Sequence, residues 1–185
     1  MKNRLTALMV VSFAALLASG LIAQREARAA ESPSIEKNAA ESLEKLYAKE
    51  PGAKILAEKA KAILVFPNVF KAGFLGGAHY GEGVLFQDGK ATGHYSSVAG
   101  SFGLQAGVQV FGYAMFLLTD SAIDYLNQSD GWEIGVGPSI VVVSTGMGKS
   151  LTSTTLRADV YAFIFNQQGL MAGFGIQGSK ISRLK

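Results

Sequence analysis

The stretch that decides the fold is Phe74-Leu-Gly-Gly-Ala-His-Tyr-Gly-Glu-Gly-Val-Leu-Phe86, followed by Asp88-Gly89 and by Ala91-Thr-Gly-His-Tyr-Ser-Ser-Val98. An Asp-Gly pair between two segments rich in β-formers is a strong hairpin signal. The glycines of the first segment indicate a bulge, a bend or a close approach of another backbone. The sequence therefore predicts two antiparallel strands joined by a tight turn.

Strand signals recur about every ten residues on both sides of this hairpin. The predicted strands are Ile63–Phe66, which Pro67-Asn68 ends, a long run within 103–118, and segments near 132–144, 158–166 and 170–177. Gln167-Gln168-Gly169 would join the last two as a hairpin. Many strands with short turns predict an antiparallel sheet that curls into a barrel or a sandwich.

Three segments have helical patterns instead. From Ser34 to Lys49, apolar residues recur at three- and four-residue steps, which indicates an amphipathic helix that Pro51-Gly52 ends. A second helix is predicted from Ala53 to about Ala62, and a third over 119–127, with Thr119 or Asp120 as N-cap. The predicted fold class is α+β: a predominantly antiparallel, curled β-sheet, barrel- or sandwich-like, with an N-terminal amphipathic helical arm and one internal helix.

The N-terminus has the pattern of a secretory signal peptide. Two basic residues precede an uncharged apolar run, 5–23, and Ala27-Arg28-Ala29 offers a cleavage site after Ala29. The alternative is a retained membrane anchor, because the run approaches the length that spans a bilayer. The sequence thus predicts a signal peptide at 1–29, a helical arm at 30–62 and a β-rich domain at 63–185. Such a protein would be periplasmic or secreted, in peripheral contact with a membrane.

Composition excludes several classes of function. The chain has 185 residues, a formal net charge of +3 and no cysteine, which excludes thiol catalysis, disulfides and thiolate metal sites. Removal of residues 1–29 takes away four of the 17 basic residues and one of the 14 acidic residues, so 13 of each remain. The mature chain is formally neutral, and its net charge does not predict a nucleic-acid partner.

The sequence contains no set of residues with the full pattern of a known catalytic site. The segment 143–150 ends in Gly-Lys-Ser but lacks the first glycine of a phosphate-binding loop, and Ser139 lacks the last glycine of a nucleophile elbow. His79 and His94 lie on flanking strands, where they would face each other, yet no carboxylate cluster accompanies them. We therefore expect no enzyme activity, no cofactor and no metal site.

The placement of lysines is more informative. Between residues 45 and 71, six lysines stand against two glutamates, beside several aromatic residues. Basic amphipathic segments with apolar side chains are typical of contact with anionic lipid headgroups. The predicted lipid-binding residues are Lys54, Lys59, Lys61, Lys71, Phe70 and Phe74. The alternative is a solvated lysine face on helices that pack against the sheet.

From Ala60 to the C-terminus, the chain resembles a SYLF domain, a lipid-binding module found in eukaryotic adaptor proteins and in many exported bacterial proteins. The matching motifs are 60–67, 71–74, Gly76-Gly77, 81–84, 103–107, 118–120 with Ala122 and Leu126, 159–162 and 169–173. The resemblance implies membrane-lipid binding through basic, amphipathic N-terminal elements, with phosphoinositide recognition and, in some eukaryotic members, actin contact. In an exported bacterial-type protein we expect neither actin nor phosphoinositides as ligands.

The resulting hypothesis is a non-enzymatic domain that binds a lipid or membrane surface, with anionic phospholipid as its partner. Two alternatives remain open at this point. A small outer-membrane β-barrel is compatible with the signal peptide, the glycine content and the alternating strands. A hydrolase would have to use Ser139 or the pair Asp120 and Asp124.

Overall fold

The computed structural model describes residues 34–73, 76–102, 107–128, 132–133, 137–143, 156–170 and 179–184. The chain divides into two compact units, residues 1–34 and 35–185. Apart from Ser34, all described residues belong to the second unit.

The described strands form a sheet of eight, whose order is β5-β8-β3-β2-β1-β4-β7-β6. The strands are β1 Ala62–Gly73, β2 Gly76–Gln87, β3 Lys90–Phe102, β4 Gly107–Leu117, β5 Trp132–Glu133, β6 Ile140–Val143, β7 Val160–Leu170 and β8 Lys180–Arg183. Every pairing is antiparallel except that of β6 with β7. The predicted fold class, a curled and predominantly antiparallel sheet with N-terminal helices and one internal helix, is confirmed.

The helices are α1 over 34–49, α2 Pro51–Ala57 and α3 Asp120–Leu126. The predictions of α1 and α3 are confirmed, and the Thr119 hydroxyl accepts the Ala122 N–H as the cap of α3. The second helix begins earlier than predicted, because a proline fits the first helical position, where no N–H is needed. It also ends earlier, since Ala62 already belongs to β1.

Strand β1 contains one residue more than its neighbours at its centre. Val65 pairs with Val84, but the next partner of β2, Glu82, pairs with Asn68. The pairing with β4 has the same shift. The prediction that Pro67-Asn68 ends the strand is therefore wrong: the residue without an N–H is accommodated in a β-bulge, and the strand continues to Gly73.

The turn that defines the predicted hairpin is confirmed between β2 and β3. Asp88 and Gly89 have φ of 49° and 74°, as a two-residue turn with both central residues in the left-handed region requires. Two other strand predictions are wrong. The segment near 132–144 is split into β5 and β6, and Gln167-Gln168-Gly169 lies within β7, where Asn166 (φ 52°) accommodates a bulge rather than a chain reversal.

The sheet buries side chains on both faces. On the inner face, the cluster includes Leu64, Phe66, Tyr95, Tyr113, Met115 and two residues of α3, Ala122 and Leu126. On the outer face, helices α1 and α2 contribute Ala39, Leu46, Ala53 and Leu56, which pack with Val65, Val84, Ala114 and Phe163. The arm helices thus cover part of the outer face, and α3 covers part of the inner face.

Close packing near the β1 bulge depends on glycine. A Cβ at Gly83 would lie 2.6 Å from the Phe66 ring, and one at Gly81 would lie 2.6 Å from Val69 Cγ2. At Gly112 a Cβ would overlap the Phe165 ring and lie 2.8 Å from the Pro67 carbonyl oxygen. The sequence predicted a bulge, a bend or a close approach of another backbone at these glycines, and the structure shows close backbone approach at 81 and 83, where a Cβ would lie 3.0 Å from the Asn68 carbonyl oxygen and 2.7 Å from that of Val65. Strand β4 contributes a third such position.

Replacement of Gly112 by alanine should destabilise the fold by roughly 1–3 kcal/mol, because the Pro67 carbonyl belongs to the backbone and cannot move aside cheaply. The matched control is Gly100→Ala, where a Cβ meets nothing within 4 Å, and its change should stay within about 0.5 kcal/mol. Urea unfolding followed by circular dichroism measures both. Equal stability of the two variants would contradict the packing argument.

Candidate functional site

The lysines of the arm lie on its solvent side. Side chains at positions 39, 46, 53 and 56 are buried against the sheet, whereas those of Lys45, Lys49, Lys54, Lys59 and Lys61 are exposed. The alternative interpretation, in which the helices pack on the sheet, therefore describes the apolar side of the arm correctly. The solvent side, which carries these lysines together with exposed glutamates such as Glu44 and Glu58, remains available to a ligand.

Lys54 lies in a surface groove between α1 and α2. The groove has a volume of about 560 Å³ and is lined by Glu44, Tyr47, Ala48, Lys54, Ala57 and Glu58. Burial, with a smaller contribution from the Glu44 carboxylate, raises the pKa of Tyr47 to about 12. Two carboxylates and one ammonium line this groove, so its local charge is less positive than the sequence spacing of lysines implies.

Lys61 differs from the other arm lysines because it has an ionic partner. Its Nζ contacts the Asp120 carboxylate at the start of α3, 59 residues further along the chain. Among the described residues, no ion pair involves Lys54 or Lys59. These two predicted lysines therefore present their charge to solvent, whereas that of Lys61 is partly neutralised.

Phe70 and Lys71 are neighbours in sequence but lie on opposite faces of the sheet. The Phe70 side chain is 53% exposed on the outer face. Lys71 is half-buried on the inner face, between its cross-strand partners His79 and Gln109. The third predicted residue of this region, Phe74, lies outside the described residues.

The five predicted residues that the structure describes therefore do not form one surface. Lys54, Lys59 and Lys61 lie near the start of β1, and Phe70 lies nine residues further along that strand than Lys61, roughly 25–30 Å away at about 3.3 Å per residue. A flat membrane can therefore contact the arm lysines without contacting Phe70, or the reverse.

An exposed apolar row that the sequence analysis missed lies around Phe70. Tyr80 is the cross-strand partner of both Phe70 and Val98, and the exposed fractions of Tyr80 and Val98 are 50% and 47%. Val108, 51% exposed, lies on the same face of β4. We call Phe70, Tyr80, Val98 and Val108 the outer strip. The alternation of side chains along β2 and β3 indicates which residues share a face, but the cross-strand register is needed to place the four residues of the outer strip side by side.

A polar cluster lies on the inner face beneath this region. The His79 Nε2 atom is 3.2 Å from Ser97 Oγ and 3.3 Å from Ser179 Oγ, and all three side chains are buried. Burial, and to a smaller extent the Lys71 ammonium, lower the pKa of His79. The cluster connects β2 and β3 to the residue that precedes β8.

The two histidines do not face each other. His94 lies on the outer face, where its Nε2 is 3.2 Å from Glu36 Oε1 of α1. Its cross-strand partner is Val84, a residue of the outer-face cluster, whereas His79 contacts the Phe111 ring edge-on within the inner face. The pairing of the two histidines across the hairpin is therefore wrong.

The candidate hydrolytic residues have structural contacts. The Ser139 hydroxyl and N–H donate to Asp159 Oδ2 at 2.7 and 2.9 Å, and these hydrogen bonds lower the Asp159 pKa. Asp120 pairs with Lys61, and Asp124 is exposed on α3. Within the described part of the chain, no group of three or more His, Cys, Asp or Glu side chains is arranged to hold a metal ion.

None of the helices that the structure describes is both long enough and apolar enough to cross a membrane.

One protein-family model matches the C-terminal part of the chain. Residues 98–185, somewhat less than half of the chain, match the family model Ysc84, described as a Las17-binding protein actin regulator. The match begins within β3 and includes everything from β4 to β8. It confirms the SYLF resemblance for these residues, and the stretch from Ala60 to residue 97 lies outside it. The comparison with curated proteins found no match.

The lowered pKa of His79 predicts that the protein loses stability on acidification. Because the folded state lowers the pKa of His79 below the value of 6.5 for the free side chain, the unfolded chain binds a proton more readily. The free energy of unfolding should therefore fall as the pH falls below about 6.5, until the folded pKa is passed. Urea unfolding at pH 7 and pH 5 measures this difference.

The variant His79→Gln should show a smaller loss between these pH values than the wild type. His94→Gln, which removes the histidine of the opposite face, is the control and should retain the acid-side loss. An unchanged pH dependence in His79→Gln would show that another group causes it.

Proposed function

We propose, from the premise that residues 98–185 carry a SYLF domain of the Ysc84 family, that this chain is a non-enzymatic protein that binds anionic lipid surfaces. The matching family is one of binding domains rather than enzymes. Lipid is the proposed ligand, and the exposed lysines of the helical arm are the proposed contact.

The observation that carries this proposal is the division of the arm into two sides. Its apolar side is buried on the outer face of the sheet, and its lysines point away from the protein. An arm packed in this way has no apolar side left to insert, so its contribution to membrane binding is electrostatic. Such a contribution is worth about 1 kcal/mol for each lysine near an anionic surface and weakens with added salt.

Lys54 and Lys59 are the principal residues of this contact. Both are exposed, and within the described residues neither has an ion-pair partner. Lys61 contributes less, because its charge is shared with Asp120. Lys71 contributes least to the arm surface, since it lies on the inner face of the sheet and is half-buried.

Export belongs to the same proposal. The basic start, apolar run and Ala27-Arg28-Ala29 site support cleavage after Ala29 by a signal peptidase. The lipid would then be a phospholipid of a membrane that faces the periplasm or the outside, such as one with phosphoglycerol headgroups.

The family description favours a protein partner as a second candidate. It names a Las17-binding protein and an actin regulator, so a domain of this type has the capacity to bind proteins. Co-sedimentation with actin filaments tests this candidate directly. Sedimentation with filaments in the absence of vesicle binding would replace the lipid proposal.

Vesicle flotation tests the arm lysines. On vesicles with about one third phosphatidylglycerol, the double variant Lys54→Gln/Lys59→Gln should partition roughly 30-fold less than the wild type, since each lysine contributes about 1 kcal/mol. On pure phosphatidylcholine, wild type and variant should not differ.

The control is Lys90→Gln, an exposed lysine beside the β2–β3 turn, which changes the net charge without changing the arm. It should partition like the wild type. Equal losses for Lys90→Gln and for a single arm variant would mean that net charge, rather than this surface, controls binding.

Export predicts a defined N-terminus. Intact-mass measurement of the protein recovered from its native cells should give a chain that begins at Ala30. A chain that retains residues 1–29 would instead indicate the membrane anchor.

A further inference from the structure

The outer strip is a continuous apolar surface across four neighbouring strands. Val98, Tyr80 and Phe70 lie directly opposite one another on β3, β2 and β1, and Val110 of β4 is the next partner in the row. Val108 lies in the adjacent row, opposite Ala72. About half of the side-chain surface of each strip residue is open to solvent, although the same face is covered by α1 and α2 further along the strands.

Formal charge is sparse at the end of the sheet that carries the strip: Lys71, Glu82, Glu133 and Lys180 lie at the level of the strip, and the described strand residues beyond them carry none. Three segments of the sequence, 72–81, 91–119 and 160–179, contain no Asp, Glu, Lys or Arg. They include the consecutive ends of β1 and β2, of β3 and β4, and the end of β7, all at one end of the sheet. The opposite end carries Lys61, Asp88, Lys90, Asp120 and Asp159.

The backbone of the strip suits a medium without water. β1, β2 and β4 have a paired strand on both sides at the strip, and β3 has one on both sides as far as Val98, so mainly side chains of the strip would meet the surrounding medium. Unpaired backbone groups are what hydrocarbon excludes most strongly. The backbone rows that hold Phe70, Tyr80, Val98 and Val108 are paired with their neighbours and therefore meet the condition that lipid imposes.

The depth of the strip also fits the boundary of a bilayer. Tyr80 lies four residues from the first residue of β2, or about 13 Å along the strand. This is somewhat more than the 5–10 Å depth of interfacial protein segments and far less than the roughly 30 Å hydrocarbon core. The Tyr80 hydroxyl donates to Glu82 at 2.6 Å, and Lys180 is the partner of Val98, so polar groups begin at this level.

We propose that the strip-bearing end of the sheet inserts into the interfacial layer of a lipid bilayer, with Phe70, Tyr80, Val98 and Val108 in contact with lipid. The inference rests on the proposed function in that a membrane is the occupant. It differs in the surface used, because the strip lies roughly 25–30 Å along β1 from the arm lysine Lys61. Insertion is driven by apolar burial and does not require anionic lipid.

The absence of cysteine makes this proposal directly testable. Single cysteines at Val98 and Val108, labelled with the environment-sensitive fluorophore NBD, report the surroundings of the strip. The matched control label is Ala91→Cys, an exposed position of β3 at the charged end. With vesicles of phosphatidylcholine, alone or with phosphatidylglycerol, the strip labels should shift to the blue, increase several-fold in intensity and be quenched by nitroxide-labelled lipid. The control label should not respond.

The outcomes separate this inference from the function proposed above. Flotation of the protein with unchanged strip labels overturns insertion and leaves the arm proposal standing. If the strip labels report insertion and the double variant Lys54→Gln/Lys59→Gln binds vesicles as well as the wild type, the inference is supported. The arm lysines are then not the membrane contact. Failure to bind any vesicle overturns both. A blue shift on addition of unlabelled protein without vesicles overturns insertion in favour of a second copy as the occupant.

Substitutions without a label provide an independent check. Phe70→Ser should reduce partition into phosphatidylcholine vesicles about tenfold, since a half-exposed aromatic side chain no longer gains from lipid contact. Val98→Ser should reduce it less but measurably. Val142→Ser, a similarly exposed valine on the edge strand β6, should have no effect. Circular dichroism confirms that each variant is folded. Equal effects of Val98→Ser and Val142→Ser would contradict the inference.

Discussion

A single additional residue in β1 determines which side chains of this sheet meet water. The bulge between Val65 and Asn68 reverses the alternation of the strand, so that Phe66 and Val69 both lie on the inner face. Without it, Phe70 would point inward and Lys71 outward. The exposed aromatic residue on one face and the half-buried ammonium near His79 on the other are both consequences of this shift. The glycines at positions 81, 83 and 112 provide the space in which the bent strands pack.

The two faces of the sheet have different relations to the helices. The inner face is filled by side chains of its own strands and by α3, whereas the outer face is covered by α1 and α2 over part of its length. The uncovered remainder is the outer strip. The lysines on the outside of the helices and the apolar strip, at the sparsely charged end of the strands, are thus separate surfaces. In the proposed membrane contact, the lysines provide long-range attraction and salt sensitivity, and the strip provides burial of apolar area.

Local features of the fold were predictable from sequence, and features that depend on register were not. The periodicity of α1, the Asp88-Gly89 turn and the Thr119 cap are encoded within a few neighbouring residues, and all three are confirmed. Pro67 and Gly169 suggested that strands end, yet both lie within strands. Pro67 lies in the β1 bulge, which accommodates its missing N–H, and Gly169 stays paired with Gln109 although its φ is 100°. The contacts of Lys61 with Asp120 and of His79 with Ser179 join residues 59 and 100 positions apart. No local pattern in a single sequence indicates which residues so far apart in the chain will be in contact.

The position of β8 has a consequence for how the chain must be made. This last strand lies against β3, and Ser96 and Ser182, which are 86 positions apart, share a hydrogen bond. As the chain emerges from a ribosome or from a translocation channel, β1 to β4 can pair before the residues of β8 have appeared. During that interval β3 is an edge strand with unpaired backbone groups, which is the arrangement that invites strand exchange between nascent chains. Chains that are truncated before residue 180 would retain that open edge permanently. By pairing with β3, the residues of β8 close an edge at which another copy of the chain could pair.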